Sequence, residues 1–497
     1  MGQEFARGVP QVLAMDGWWL DGDGGDGEAT PSDTRRGAAI RFGGLAFLVL
    51  LADLLFWHRT PGISLALFAV AIFAVATWDG RPTARLVRPA LLLVLGALPV
   101  VEYVQALSVG FLLAGLAASL VWACVRPEDP WLATGLAWLA RLPGAWAAPL
   151  NPDRWGHAFR ALRRAPETGA LRRLAAGWAF PVGGALVFAG LLVGANPVLG
   201  QALDLRPDVF TLLQRGLFWA GIALLVWPLL DRSLPRPVAL PQTLPTAGPR
   251  FGLTRTSVLR ALVMFNALIA VQTVMDAAIL LGGAALPEGM NYAEYAHRGA
   301  YPLLATALLA GAFALAARPF LGEHRAIRPL LLLWLVQNVV LCGAAMLRLE
   351  LYIAAYGLTY LRVHAMIWMG LVALMLALAV WQVLRAHRNR WLLMRGALLG
   401  LATLYATAFV NVAEKIADGN LSAPATRQTD FAYVCSLGPM AQDAYARAVA
   451  QRPYLEGVLV RHGCALTEPR IAHWQEWGFR KARVGGYGPA EAEPTTR

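Results

Sequence analysis

A helix of ~20 apolar residues crosses a bilayer core about 30 Å thick, and roughly 17 to 25 residues is the working range. Eleven stretches of this kind follow one another along the 497 residues: about 42–58, 62–79, 88–105, 106–124, 174–194, 210–230, 259–282, 299–317, 328–346, 363–384 and 393–411. In hydrocarbon each backbone N–H and C=O must find its partner inside the protein, so segments of this length fold as helices. The chain therefore reads as all-α, a polytopic transmembrane helical bundle of about eleven spans. Its composition agrees, with 57% hydrophobic and 15% charged residues where soluble domains carry roughly 45–50% and 25%. Disorder and a water-soluble enzyme are both excluded. Turns as short as His58 to Pro61 join neighbouring spans as helical hairpins.

The formal net charge is +12, and its placement gives an orientation, because positive residues stay on the cytoplasmic side of a membrane. One set of alternate loops holds 26 arginines, in groups such as Arg81, Arg85 and Arg88, or Arg318, Arg325 and Arg328. The opposite loops hold six: Arg59, Arg206, Arg215, Arg298, Arg348 and Arg362. The amino terminus is thus expected in the cytoplasm of a bacterial cell and, after eleven crossings of the inner membrane, the carboxy terminus in the periplasm. With the charge accounted for in this way, membrane lipids are the expected partners and no nucleic acid is needed. Residues 1–41 are rich in Gly and Asp, with no apolar core for a signal peptide, and read as a flexible acidic tail.

Four further segments follow. Residues 42–124 form a first membrane segment of about four spans, and residues 125–173 a basic cytoplasmic stretch. Within the latter, Trp131 to Leu150 is apolar enough to pass for a span, but counting it would reverse the arginine bias of every later loop. Trp131, Trp138, Leu139, Leu142 and Trp146 instead suggest a stripe lying in the membrane interface, or else an ordinary packing helix. Residues 174–411 form the main membrane domain of about seven spans, interrupted by a proline-rich linker at 231–256. Residues 412–497 turn polar and read as a small helical extramembrane cap, with helices expected over Pro439 to Ala450 and Pro469 to Val484. An envelope protein is a possible partner for this tail. If the tail is periplasmic, Cys435 and Cys464 stand in an oxidising compartment and are expected to pair, the alternative being two free thiols.

Ionisable residues inside spans are costly and mark candidate sites. Asp53, Glu102 and Asp276 are such intramembrane acids, each in the outer part of its helix, and Asn266 and Thr273 share a face with Asp276. Two outer connections are denser. One carries Glu294, His297 and Arg298, the other Arg348, Glu350, Tyr352, Tyr356, Tyr360 and Arg362, with the three tyrosines at a spacing of four that predicts a single helical face. Asp276, Glu294, His297, Arg298, Arg348, Glu350, Tyr356 and Arg362 are therefore the candidate ligand-binding set. The competing reading is structural: tyrosines anchor helices at the interface, and these charges neutralise one another. Glu294 and His297, three apart, are the only local acid–base pair and the only catalytic candidates. No phosphate loop, nucleophile elbow, zincin motif or Cys/His cluster is present, so neither a metal nor a cofactor is expected.

Thr273 to Asp276, the run Leu286 to Gly299 with Glu294, Tyr295, His297 and Arg298, and the segments Arg348 to Tyr352 and Tyr356 to Val363 together resemble a bacterial family of multi-spanning membrane proteins. That family is described as domain of unknown function forty-one seventy-three, with forty-one fifty-three related to it. The resemblance covers roughly residues 180–445, extends weakly to Thr429 through Leu437 and Asp443, and implies an inner-membrane protein with no activity attached. Cys435 departs from the family's tail pattern, which makes any pairing with Cys464 a feature of this chain. The expected function is a periplasm-facing polar site for a lipid headgroup, small solute or envelope partner. The alternatives are a transporter, which needs a polar path through both leaflets, or a transferase or hydrolase built on Glu294 and His297.

Overall fold

The computed structural model describes residues 31–78, 83–124, 131–147, 209–230, 253–280, 292–424, 429–464 and 471–485, with isolated positions between 181 and 188. Side chains of 31–40, 83–84, 131–132, 209–210, 280 and 292–304 are outside the described set. The predicted span at 174–194 also lies outside the described residues, apart from those isolated positions.

Sixteen α-helices build what is described. They are α1 (Pro31–Phe56), α2 (Ile63–Ala76), α3 (Thr83–Glu102), α4 (Ala106–Cys124), α5 (Trp131–Ala147), α6 (Val209–Val226), α7 (Arg255–Leu280) and α8 (Tyr292–Ala317). There follow α9 (Ile327–Tyr356), α10 (Tyr360–Arg385), α11 (Asn389–Ala408), α12 (Val412–Leu421), α13 (Phe431–Cys435), α14 (Gln442–Gln451), α15 (Tyr454–Arg461) and α16 (Phe479–Gly485). Among the described residues six helical segments are long and apolar enough to cross a membrane: Ala106–Cys124, Thr211–Leu229, Arg255–Ile279, Ile327–Tyr356, Tyr360–Arg385 and Asn389–Ala408. Their outward faces are apolar as well. Val274 of α7 and Leu361 of α10 are 69% and 66% exposed, a distribution that suits a helix whose solvent is lipid. The chain is a helical membrane protein.

Two units divide the chain. The first comprises Met1–Asp53 and Ala145–Asp231, the second Leu54–Gly144 and Arg232–Arg497. In the first, Phe42 stacks at a tilt on Trp227 with ring centroids 5.6 Å apart, and the Trp146 indole donates to the Leu225 carbonyl at 3.3 Å. The second holds the main bundle, in which α9 packs against α7, α8 and α10. Leu331, Leu335 and Leu341 of α9, together with Val372, Leu376 and Ala379 of α10, are buried in its core. In the α3/α4 hairpin the backbones touch at Gly96 and Gly115: a Cβ on Gly96 would stand 2.8 Å from the Gly115 Cα, so neither position accepts a side chain without separating the helices.

Residues 412–485 fold into a helical domain around Ile416, Leu421, Val434, Tyr445 and Leu459. The Tyr445 hydroxyl donates to the Val434 carbonyl at 2.7 Å, and burial pushes this phenol up to about 12. Cys435 and Cys464 are joined as a disulfide that ties α13 to the segment after α15. This domain rests on the bundle at four connections. The Ile63 amide donates to the Trp477 carbonyl at 2.7 Å, Gln475 donates to the Leu54 carbonyl at 3.3 Å, and Gly62 lies so close to the Glu476 backbone that a Cβ would be 2.4 Å away. Arg480 bonds Glu102 at 3.1 Å and the Ala408 carbonyl at 3.0 Å. The Leu358 amide and carbonyl are both held by Asn420, at 2.7 and 2.8 Å.

Three sequence expectations are corrected. Tyr352, Tyr356 and Tyr360 do not share one helix face: α9 ends at Tyr356, Gly357 takes φ 80°, and Thr359 caps a new helix by accepting from the Arg362 amide. The left-handed glycine and the threonine cap end one helix and start the next within three residues. In α5, Trp138 and Leu142 are buried with Ala133 and Ala137, but Leu139 is 48% exposed, so the buried face is not the predicted stripe. The cap also has more helices than the two predicted. A 3-10 turn occupies Pro439–Ala441 before α14, and α12, α13 and α15 were not anticipated.

Candidate functional site

Each of the three intramembrane acids has an arginine partner. Asp53 accepts from the Arg215 Nε at 2.8 Å and from the Trp219 indole at 2.9 Å, within the first unit. Glu102 is paired with Arg480, whose guanidinium also lies 5.1 Å over the Tyr103 ring. Asp276 is paired with Arg348, and Gln272 adds a bond to the same carboxylate at 2.9 Å. Asp276 and Arg348 are 2% and 3% exposed. Desolvating two charges is costly, and mutual attraction with added hydrogen bonds offsets that cost. This pair therefore cross-links α7 and α9 inside the bundle.

The other candidates separate. Glu350, two residues from Arg348, is exposed on another side of α9. Glu294, His297 and Arg298 belong to the first turns of α8, and their side chains lie outside the described residues. Tyr356 and Arg362 come together with residues of the tail domain that the sequence did not single out. They line a cavity of about 750 Å³ between the α9–α10 turn and the segment 429–433, with His462 on its far wall.

The cavity is built from local rules. Gly357 and Thr359 expose the backbone of the turn, and Leu358 inserts toward the tail core against Gly419, where a Cβ would meet the Leu358 Cδ1 at 2.6 Å. Arg362 bends back over the C-terminus of α9, donating to the carbonyls of Tyr356, at 2.9 Å, and Gly357. Its guanidinium also lies 4.3 Å over the Tyr352 ring, so the cation is held in place. Across the cavity, Asp430 caps α13 by accepting from the Tyr433 amide at 2.9 Å, and the Tyr433 hydroxyl accepts from the Tyr360 amide at 2.8 Å. Phe431 and His462 bring their rings to 5.6 Å. The cavity thus offers a fixed cation, an exposed carboxylate, an imidazole and aromatic faces, with no carboxylate bound to Arg362 among the described residues. That combination is chemically suited to a polar group carrying both charges.

Asp430 and Tyr433 fall within the tail stretch that carried a weak family resemblance, which is the one sequence signal that pointed to them. Nothing in the sequence marked Asn420 or His462.

The helical membrane bundle, with a polar cavity at one end closed by a disulfide-tied domain, defines the class: a polytopic helical membrane protein with a small helical carboxy-terminal domain. A family model described as Domain of unknown function (DUF4153) matches residues 89–448, so the chain belongs to that family. Neither the curated proteins nor the solved structures contain a match.

Proposed function

We propose that this protein crosses a bacterial inner membrane about eleven times, with its amino terminus in the cytoplasm and its tail domain in the periplasm. On this reading the cavity beside Arg362 binds the headgroup of a zwitterionic lipid. Two features support the orientation. The tail domain touches the connections after α1, after α3, after α9 and after α11, which all fall on the arginine-poor side of the alternation. The Cys435–Cys464 disulfide suits an oxidising compartment.

The observation that carries the binding reading is the shared lining of Arg362 and Asp430 in one cavity at the outer end of the bundle. A phosphate pairs with the guanidinium and an ammonium with the carboxylate, and Tyr356, 55% exposed, offers an amphipathic rim at the depth where headgroups lie. The transport alternative gains no support from the core. Leu331, Leu335, Leu341, Val372 and Leu376 bury apolar side chains between its ends, and the buried Asn266 and Asn338 donate to the backbone carbonyls of Leu262, Leu330 and Trp334.

The test is native mass spectrometry of the full chain released from nanodiscs of phosphatidylethanolamine and phosphatidylcholine. The expected result is retained phosphatidylethanolamine, falling about tenfold in Arg362→Gln, since a charge-assisted contact is worth about that factor. Equal retention by the variant at equal folded yield would overturn the assignment.

A further inference from the structure

We propose a second binding site, for a phosphate group, at the end of the bundle away from the tail domain. α9 is 30 residues long, so this site lies roughly 45 Å from the cavity beside Arg362. A cavity of about 430 Å³ opens there between the turn after α8, the start of α9 and the α10–α11 turn. Arg318, Arg328, Gln382 and Asn389 supply its polar lining.

The two arginines are positioned by neutral groups. Arg318 donates to the Asn389 side chain at 2.9 Å and to the His387 carbonyl, and Arg328 donates to the Leu384 carbonyl at 3.1 Å. Gln382, 3% exposed, fixes Asn389 from behind through a bond of 3.0 Å. Among the described residues neither arginine has a carboxylate partner, and Glu323, the one acid of the turn 318–326, is exposed and outside the lining.

Capping the C-terminus of α10 does not use up this charge. A helix end is equivalent to about half a negative charge, whereas two guanidinium groups face the cavity and Arg385 already occupies the last turn of α10. The surplus is more than one positive charge, held on planar forks with N–H donors to spare. Phosphate is the anion that matches such forks, through paired bonds to two oxygens. Arg325, Arg388 and Arg390, all exposed, lie in or beside the same two turns of the chain, and residues 385–408 contain no acid, so basic residues outnumber the single acid Glu323 around the cavity. In the orientation proposed above this end faces the cytoplasm, but the site rests on its own geometry. It holds whichever way the chain is inserted.

A phosphate can arrive as a free phosphomonoester or as the headgroup of an anionic lipid, and two arms of one experiment separate these sources. In the first, inorganic phosphate is titrated calorimetrically into the full chain in phosphatidylcholine nanodiscs. In the second, lipids retained from nanodiscs containing phosphatidic acid or phosphatidylglycerol are counted by native mass spectrometry. Saturable binding in the first arm upholds the site as one for soluble phosphates, and retention confined to the second upholds it as a headgroup site. In either case Arg328→Gln should weaken binding about tenfold, and Arg318→Lys, which keeps the charge and loses the fork, should also weaken it. Arg388→Gln, exposed and outside the lining, should change it less than about twofold. Absence of saturable binding in both arms would overturn the proposal. So would equal weakening by Arg388→Gln and Arg328→Gln, which would mean that general surface charge is responsible.

Discussion

At the scale of single residues, the acids within the helices are accounted for by arginines far away in the chain. Asp53, Glu102 and Asp276 were legible as costly residues, but their partners were not, because the pairs are separated by 162, 378 and 72 residues. Periodicity operates over a few turns and carries no information at such distances. Asp276 and Arg348 were grouped with the ligand set on sequence grounds. Their mutual burial gives them a structural role as a clamp between α7 and α9, while Asp276 also lines a cavity of about 300 Å³ with Thr273 and Leu347. Asp276→Asn or Arg348→Gln alone should destabilise the fold by about 3–5 kcal/mol, since each removes the opposite charge from a buried ion. The double variant Asp276→Leu/Arg348→Met should recover most of that loss and keep lipid retention at the cavity beside Arg362. Detergent unfolding curves and native mass spectrometry on the three variants check this. A double variant that folds but loses the lipid would return the pair to the ligand set.

At the scale of elements, the apolar helices were readable because length and hydrophobicity are local properties. The small helices of the tail were not. α13 has five residues, too few for any period, and is set by the Asp430 cap and the Cys435–Cys464 bond. The α9–α10 turn was misread for a related reason: tyrosines at spacing four outweighed Gly357 and Thr359, although the left-handed glycine and the cap decide the chain direction there. The cavity wall depends on these small elements, since Phe431 and Tyr433 precede Cys435 and His462 precedes Cys464 by only two residues. Removing a disulfide costs about 2–4 kcal/mol through the freedom regained by the loop. Replacing both cysteines by serine should therefore raise amide hydrogen exchange across residues 429–464 and weaken lipid retention, with α9 and α10 unchanged. Exchange in 429–464 equal to that of the native chain would contradict this role.

At the scale of the whole molecule, the basic balance and the fold of the second unit point the same way. The sequence carried the asymmetry of the arginines, and the fold adds a domain that touches the bundle at connections drawn from one side of the alternation. The sequence could not announce that contact, because it depends on Gly62, Glu102, Leu358 and Ala408, far apart in the chain, being brought together by the packing of the helices. The central claim is that the tail domain and the cavity beside Arg362 face the periplasm, with the cavity beside Arg318 facing the cytoplasm. Two cysteines, each introduced alone into a chain whose half-buried free thiol is removed by Cys124→Ser, test it most directly: Glu456→Cys, exposed on α15, and Gly322→Cys, exposed in the turn after α8, where an added Cβ meets nothing within 4 Å. A membrane-impermeant maleimide added to intact spheroplasts should label Glu456→Cys at once and Gly322→Cys only after the membrane is opened. Labelling of Gly322→Cys first, or of both before opening, would contradict the account.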